Sequence, residues 1–594
     1  MKGYGLTVFS GTTPEKFDVE VLSVLTNFRP NQDLILIKTP NHPRLDAARV
    51  VAGMSGSPIY LNGKMIGAYA YGWIAGVEPV AGVTPIKNML DELARPIPKS
   101  ILPGGAGPLP IGSAAKPKSD EGGGAEGMST PAIKSVRSYS GASEGYDLAE
   151  HAKQLAVKSS AALAPPQGVG LSRASTPILL GGVSNTALSI ANNLLQPMGL
   201  DPVQAGGGGG SKPAADAPTK YVDGGAIGVQ LIRGDMSAMG LGTVTRVSGD
   251  KLLAFGHPML NGGIESFPTA IAKVHWILAS FQRSFKIGEA VRPMGALVND
   301  RQAAIVVDST ASAPSIPMTF KIEGVDGAPK TTWNMDVTHD KFMSPMFVAM
   351  AFSNAVETTT SERRDMTWRA TSKLKTAKYG TITFEDFGAG DGGPPEMGDF
   401  IRGRLVRALG SLLNNPWEEV KIDGIESTMS VKFEREVSLL KSVKLLDAEI
   451  DAGESARVEL TLHPHQGKPY TKVISIPIPA ELDGRDVDVD ISPGYEVEKP
   501  QPSPNSVAQL VAVLPNQTYD GESIVCVIRL RESGATFGGK LASRLPAGAV
   551  DTLRTQSASD GPEIFASATH HVIPNKGFIV GRDFVRVKIR PKLK

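Results

Sequence analysis

Gly53-Met54-Ser55-Gly56-Ser57-Pro58-Ile59-Tyr60-Leu61-Asn62-Gly63-Lys64-Met65-Ile66-Gly67-Ala68-Tyr69 is the stretch on which the reading of this chain turns. Asn62-Gly63 lies between two apolar runs. That dipeptide is a strong two-residue hairpin signal, because the favoured turn needs positive φ at both positions. The serine loop ahead of it is therefore anchored in a sheet. A serine hydroxyl is a weak nucleophile unless a base takes its proton and backbone N–H groups receive the oxyanion. Gly-x-Ser-Gly-x-Pro meets the second need. Gly53 lets the chain turn so that the N–H groups of Gly53 and Ser55 point into one hole, and Gly56 admits close approach of a substrate. Ser55 is the candidate nucleophile. A Gly-x-Ser-x-Gly elbow would need glycine at 57, where Ser57 stands.

Around this loop, residues 1–100 read as β-rich. Thr7 to Phe9, Phe17 to Val21 and Leu34 to Ile37 are short β-branched or alternating runs. A short helix is expected at Ile86 to Leu93. Residues 101–220 form an insert: 101–145 and Gly206 to Gly210 are Gly-rich linkers, with helix clearest at Leu188 to Leu195. The second linker lacks the Gly-Lys-Ser/Thr ending of a phosphate loop. Residues 221–390 turn β-rich again, with strands at Ala226 to Ile232, Gly242 to Val247, Lys251 to Phe255 and Ala303 to Val307, and a helical reading at Ile271 to Phe285. Residues 391–424 hold an amphipathic helix, Met397 to Leu413, stopped by Asn414-Asn415-Pro416. Residues 425–594 alternate short strands with Pro/Gly turns, which fits one or two β-sandwich modules.

The second chemistry-bearing segment is Leu252 to Pro258, where His257 follows a strand and a glycine. At a strand end an imidazole can reach across a cleft. Gly53 to Pro58, with a base of this kind, has the arrangement of trypsin-like enzymes.

Together the two segments resemble the SpoIVB-type serine peptidase family, which has a trypsin-like double-barrel fold. Gly53 to Ile59 and Asn62 to Ala68 match its nucleophile segment and hairpin. Gly242-Thr243-Val244-Thr245 ahead of Gly256-His257 matches its histidine segment, with Ile227 to Val229 upstream and Ile287 to Glu289 and Pro293 to Ala296 downstream. The resemblance spans about residues 1–95 and 222–310. It implies an endopeptidase acting on protein or peptide substrates, with Ser55 as nucleophile, His257 as base and an oxyanion hole from Gly53 and Ser55. It departs from the family twice. The Ser half precedes the His half, which reads as permuted or swapped halves. The acid is also displaced: Asn41 or His42 stands where the family has Asp. Asp300, 43 residues after His257, is the favoured acid and Asp46 the next. A dyad, His42 as base, and a catalytically dead descendant stay open.

The expected fold is mainly β: a trypsin-like double β-barrel core with permuted halves, C-terminal β-sandwich-like modules and a few helices. Lys+Arg 61 against Asp+Glu 60 gives no field to draw in nucleic acid, and the basic runs Arg363 to Lys378 and Arg586 to Lys594 read as solvated strand faces. No apolar run reaches the ~18 residues of a membrane span. The start Met1-Lys2-Gly3 is not a signal peptide, so the chain is either cytoplasmic or begins downstream of a removed leader. A periplasmic or secreted setting with an envelope partner follows from the resemblance. The lone Cys526 reads as core. His463 with His465 and His570 with His571 read as surface pairs rather than metal ligands, so no metal or cofactor is expected. The rival to a peptidase is a non-catalytic scaffold or binding module.

Overall fold

The computed structural model describes residues 1–97, 171–205 and 214–591, apart from positions 74, 75, 77, 174, 175, 282, 391, 503, 538, 539, 547, 550, 551 and 553–562. The segments read as linkers, 101–145 and 206–210, lie outside the described residues. The fold is mainly β.

The first barrel is built from β1 (Lys2–Thr7), β2 (Glu15–Arg29), β3 (Gln32–Lys38), β5 (Pro58–Leu61), β6 (Lys64–Trp73) and β7 (Val80–Pro85), with β4 (Val51–Ala52) outside the ring. Their pairing runs β1-β2-β3-β7-β6-β5 and returns to β1, antiparallel throughout. Closure removes the free edges that an open sheet would expose. The β5–β6 hairpin turns on Asn62 and Gly63 at φ 49° and 75°, as the Asn-Gly signal predicts. Helix α1 (Pro43–Ala48) precedes β4, and α2 (Ile86–Leu93) follows the barrel, at the span read from sequence.

Residues 171–205 supply β8 (Leu171–Arg173), which extends the first sheet at β6, then β9 (Thr176–Gly181), α3 (Asn185–Leu195) and β10 (Leu200–Gln204), which extend the second sheet at its far end. The second barrel is formed by β11 (Ala226–Gly234), β12 (Ser237–Ser248), β13 (Lys251–Ala254), β14 (Phe267–Leu278), β15 (Ser284–Arg301) and β16 (Ala304–Asp308). It closes in the order β11-β12-β13-β16-β15-β14 and back to β11. The helical reading of Ile271 to Phe285 is therefore wrong. Its first part, Ile271 to Leu278, is strand and pairs with the first half of β15, and Ile271 also pairs with β11; an apolar run without clear period goes to whichever ladder needs it.

The two barrels are joined by strand pairing as well as packing. β4 runs parallel to the start of β15, Val51 opposite Ser284 and Ala52 opposite Phe285, and Gly11 bridges Val274.

Beyond the ring the second sheet continues through β17 (Ser315–Glu323), β18 (Thr332–Thr338), β19 (Met366–Thr376), β20 (Gly380–Gly390) and β21 (Ile422–Lys432). This region also holds a helix that the sequence reading missed, α4 (Met343–Thr360). It is buried almost all round, so it lacks the polar stripe that announces a surface helix. The helix read at Met397 to Leu413 is two, α5 (Met397–Arg402) and α6 (Arg404–Leu413), broken where Gly403 is extended. The Asp386 carboxylate accepts the Arg404 and Leu405 N–H groups at that break.

The C-terminal region is one β-sandwich. A four-stranded sheet carries Ser455–Pro464, and a six-stranded sheet carries Asp486–Pro493 and Ser523–Phe537. Val458, Leu460 and Ile476 share one core with Val489, Ile491, Cys526 and Ile528. Burial there pushes the Cys526 thiol up to about 12, so it stays protonated. Lys375, Arg586 and Lys588 of the basic runs lie on strands and pair with Glu426, Asp488 and Glu449.

Candidate active site

The Ser55 loop links β4 to β5 at the seam between the barrels. Gly53 and Gly56 have φ of 91° and 97°, a region that favours glycine. Gly56 is confined further. A Cβ there would stand 1.9 Å from the Thr243 carbonyl oxygen and 2.5 Å from the Phe255 nitrogen. The second barrel's backbone is laid directly on it.

Almost every peptide of the loop is held. Thr243 Oγ1 donates to Gly53 O at 3.0 Å, Thr243 N to Ser55 O at 2.9 Å and Thr245 Oγ1 to Gly56 O at 2.7 Å. Thr243 and Thr245 both point at the loop because alternate residues of a strand share a face. Within the first barrel, Gly56 N donates to Tyr69 O at 2.7 Å and Tyr69 N to Ser57 O at 2.9 Å. Ser57 donates twice to Met54 O, from N at 2.9 Å and from Oγ at 2.6 Å. In a trans peptide the N–H points away from the carbonyl, so this double clamp fixes the direction of the Ser55 N–H. Neither that N–H nor Ser55 Oγ has a hydrogen-bond partner among the described residues. A buried polar pair left open in a loop whose carbonyls from Gly53 to Ser57 are all bonded is what a donor to an oxyanion and a nucleophile require.

His257 docks in the reverse sense, from the second barrel onto the first. Phe255 and Gly256 turn the chain out of β13 at φ 70° and 69°. Thr84 Oγ1 of β7 donates to Gly256 O at 2.6 Å. A Cβ at Gly256 would meet the Ala70 and Ala68 methyls of β6 at 3.0 and 3.1 Å. The imidazole Nδ1 stands 2.8 Å from Pro258 O. A carbonyl only accepts, so Nδ1 carries a proton, and in the neutral tautomer the lone pair lies on Nε2. Ser55 and His257 are 0% and 1% exposed. The site is closed to solvent in this conformation.

Asp300, the favoured acid, lies on β15 at 1% exposure. Its carboxylate accepts Met259 N at 2.8 Å, Leu260 N at 2.6 Å and Asn261 N at 2.8 Å. These amides follow directly on His257-Pro258, so Asp300 fixes the segment whose carbonyl orients the imidazole. Burial, with help from the Asp340 and Asp300 carboxylates, pushes the neighbouring Glu265 up to about 8, which leaves Glu265 uncharged at neutral pH. Asp300→Asn puts an amide NH2 against backbone N–H groups. It is expected to lower stability by ~3 kcal/mol, read as a drop in denaturation midpoint; an unchanged midpoint would contradict this clamp.

The other sequence candidates sit on or beside α1. His42 caps it, Nδ1 accepting Leu45 N at 3.4 Å, while its ring stacks on Phe9 with centroids 4.2 Å apart. Burial and the nearby Arg44 lower its pKa. Asp46 and Asn41 are exposed on the surface. His465 Nε2 pairs with Asp365 at 2.9 Å, and His463 Nε2 faces Gly467 O at 3.1 Å. Among the described residues no three His, Cys, Asp or Glu side chains converge to hold a metal ion, and no helix is long and apolar enough to cross a membrane.

Sequence reasoning missed Lys286. Its side chain is 0% exposed on β15, and Nζ donates to Thr7 Oγ1 at 2.7 Å and Thr243 Oγ1 at 3.4 Å. Burial alone pushes this amine down to about 7. A lysine in an alternating strand reads as solvent-facing, and only the docking of the first barrel buries it.

Residues 3–90 match the family described as SpoIVB peptidase S55. The match covers the first barrel, Ser55 included, and agrees with the resemblance carried by Gly53 to Ala68. Comparison with curated proteins and with solved structures gave no match.

Proposed function

With residues 3–90 matching the SpoIVB peptidase S55 family, we propose that this chain is a serine endopeptidase cleaving protein substrates through an acyl-enzyme on Ser55. Ser55 Oγ attacks the scissile carbonyl carbon, and its proton passes to His257 Nε2. The oxyanion takes the Ser55 N–H and the Gly53 N–H. Collapse breaks the peptide C–N bond, with His257 returning the proton to the leaving amine. Water, deprotonated by His257, then hydrolyses the ester. Asp300 keeps the histidine segment in place. The observation that carries this reading is the reciprocal docking of the two segments. The Ser55 loop is bonded to β12, the His257 turn is bonded to β7, and a buried Ser55 Oγ is left open at the seam. Without substrate a Ser–His bond is often long, and it tightens in the Michaelis complex.

Two closed rings meeting at this seam support kinship with trypsin-like double barrels, the Ser half leading. A periplasmic or secreted setting, and an envelope partner on the C-terminal sandwich, belong to the same proposal.

Fluorophosphonate labelling is the test. Because Ser55 is shut off from solvent, labelling waits on local opening and is expected to be slow and to accelerate with temperature. Ser55→Ala and His257→Ala are each expected to abolish it. The full burial of Ser55 favours a second reading, a dormant scaffold. No labelling of the parent at any temperature below its melting transition would select that one.

A further inference from the structure

We propose that Lys286 is a positioning residue for the Ser55 oxyanion hole, acting through the Thr243 hydroxyl on the Gly53 carbonyl. Its catalytic meaning rests on the peptidase reading.

Thr243 Oγ1 has one proton, and Gly53 O, as a carbonyl, can only accept it, at 3.0 Å. The same oxygen must then accept from its other neighbour. Lys286 Nζ, 3.4 Å away, is as an ammonium a pure donor. The chain Lys286 to Thr243 to Gly53 therefore has one polarity, and the ammonium sets it. With Gly53 O held and Met54 N donating to Val51 O at 3.2 Å, the Gly53–Met54 peptide is pinned at both ends. A glycine at positive φ flips its peptide readily unless it is held.

The lysine stem is the floor of the same turn. Its Cβ, Cγ and Cδ lie 3.2 to 3.4 Å from where a Gly53 Cβ would stand. A methionine would fill that volume without burying an amine. Burying an amine is costly where no carboxylate answers it, and among the described residues its partners are two hydroxyls. The groups that face it are Thr7 from β1, Thr243 from β12 and the Gly53 turn. Among the described residues no charged side chain contributes to its lowered pKa. The amine is retained for what it orients.

The experiment compares fluorophosphonate labelling of the full chain with Lys286→Met, Thr243→Val and Thr243→Ser. The Gly53 carbonyl is read in parallel by 13C-glycine and 15N-methionine labelling, which singles out Gly–Met pairs such as Gly53–Met54. Lys286→Met and Thr243→Val are each expected to label at least tenfold more slowly, the double variant no slower than either. Thr243→Ser is expected to keep the parental rate. Above pH about 7 the ammonium gives way to an amine that can accept the Thr243 proton, so parental labelling falls there and Lys286→Met lacks that limb. Parental labelling with Lys286→Met equally fast overturns the role of Lys286 and leaves the peptidase reading standing. If the parent does not label, the peptidase reading fails, and the Gly53 carbonyl shift decides for Lys286: displaced in Lys286→Met supports the role, unchanged overturns it. If Lys286→Met does not fold, the Thr243 pair decides. Val slow with Ser parental supports the chain, and equal rates overturn it.

Discussion

Gly56→Ala is expected to undock the Ser55 loop from the second barrel, removing fluorophosphonate labelling and several kcal/mol of stability together. A Cβ at 1.9 Å from Thr243 O and 2.5 Å from Phe255 N meets backbone, which has no rotamer in which to retreat. At φ 97° the alanine is strained as well, by ~1–3 kcal/mol before any clash. The only relief is to move β12 and the His257 turn away from the loop. That breaks the Thr243 and Thr245 bonds to Ser55 O and Gly56 O, at ~1 kcal/mol each. Gly63→Ala is the control. It carries the same kind of positive φ, 75°, but nothing lies within 4 Å of its Cβ site. Its cost is expected to stay near ~1 kcal/mol with labelling intact. Melting curves and labelling of both variants check the pair. A Gly56→Ala protein that melts and labels like the Gly63→Ala protein would mean that the loop is not held between the barrels.

What the sequence shows and what it hides divide along the range of the signal. Asn62-Gly63 and Gly53 to Pro58 are local statements about φ and hairpin geometry, so the turn and the loop were readable. Gly242-Thr243-Val244-Thr245 was readable as a pattern, but its use as a clamp depends on a loop about 190 positions away in the chain. Ile271 to Phe285 went wrong because the run lacks a clear period, although its Val, Ile and Trp favour a strand, and closure of a ring decided. Helix α4 was missed for the opposite reason, since burial on all sides erases its period. Asp300 is singled out as the candidate acid by its spacing within one barrel. Its work on the backbone of Met259 to Asn261 has no sequence signature. Lys286 lies at the far end of that range. Nothing in Ser284-Phe285-Lys286-Ile287-Gly288-Glu289 says that β1 and the Ser55 loop will cover it.

Lys286→Met is expected to raise the melting temperature at pH 6 while it slows the site. In the unfolded chain the amine titrates at its ordinary 10.5; burial brings the folded value to about 7. Below about 7 the folded protein carries a charge in a place that resists it, and the penalty is fully present. As pH rises from about 7 to 10.5 the unfolded chain holds a proton that the folded one has released, so stability increases with pH across that window. Above 10.5 both states are neutral and the penalty is gone. The gap between the two values corresponds to an upper bound of ~5 kcal/mol at ~1.4 kcal/mol per tenfold. Methionine keeps the stem volume and escapes the penalty, but it strands the Thr7 and Thr243 hydroxyls, which returns ~1–2 kcal/mol. The net expectation is a gain of ~2–3 kcal/mol at pH 6 that shrinks and then reverses as pH approaches 10.5. Calorimetry of the two proteins from pH 6 to 10 reads it, and a variant less stable than the parent at pH 6 would refute the argument. A gain in stability joined to a loss of labelling is the mark of a group kept for function at the expense of the fold. A lysine that merely filled space would show neither the crossing stability curves nor the slower site.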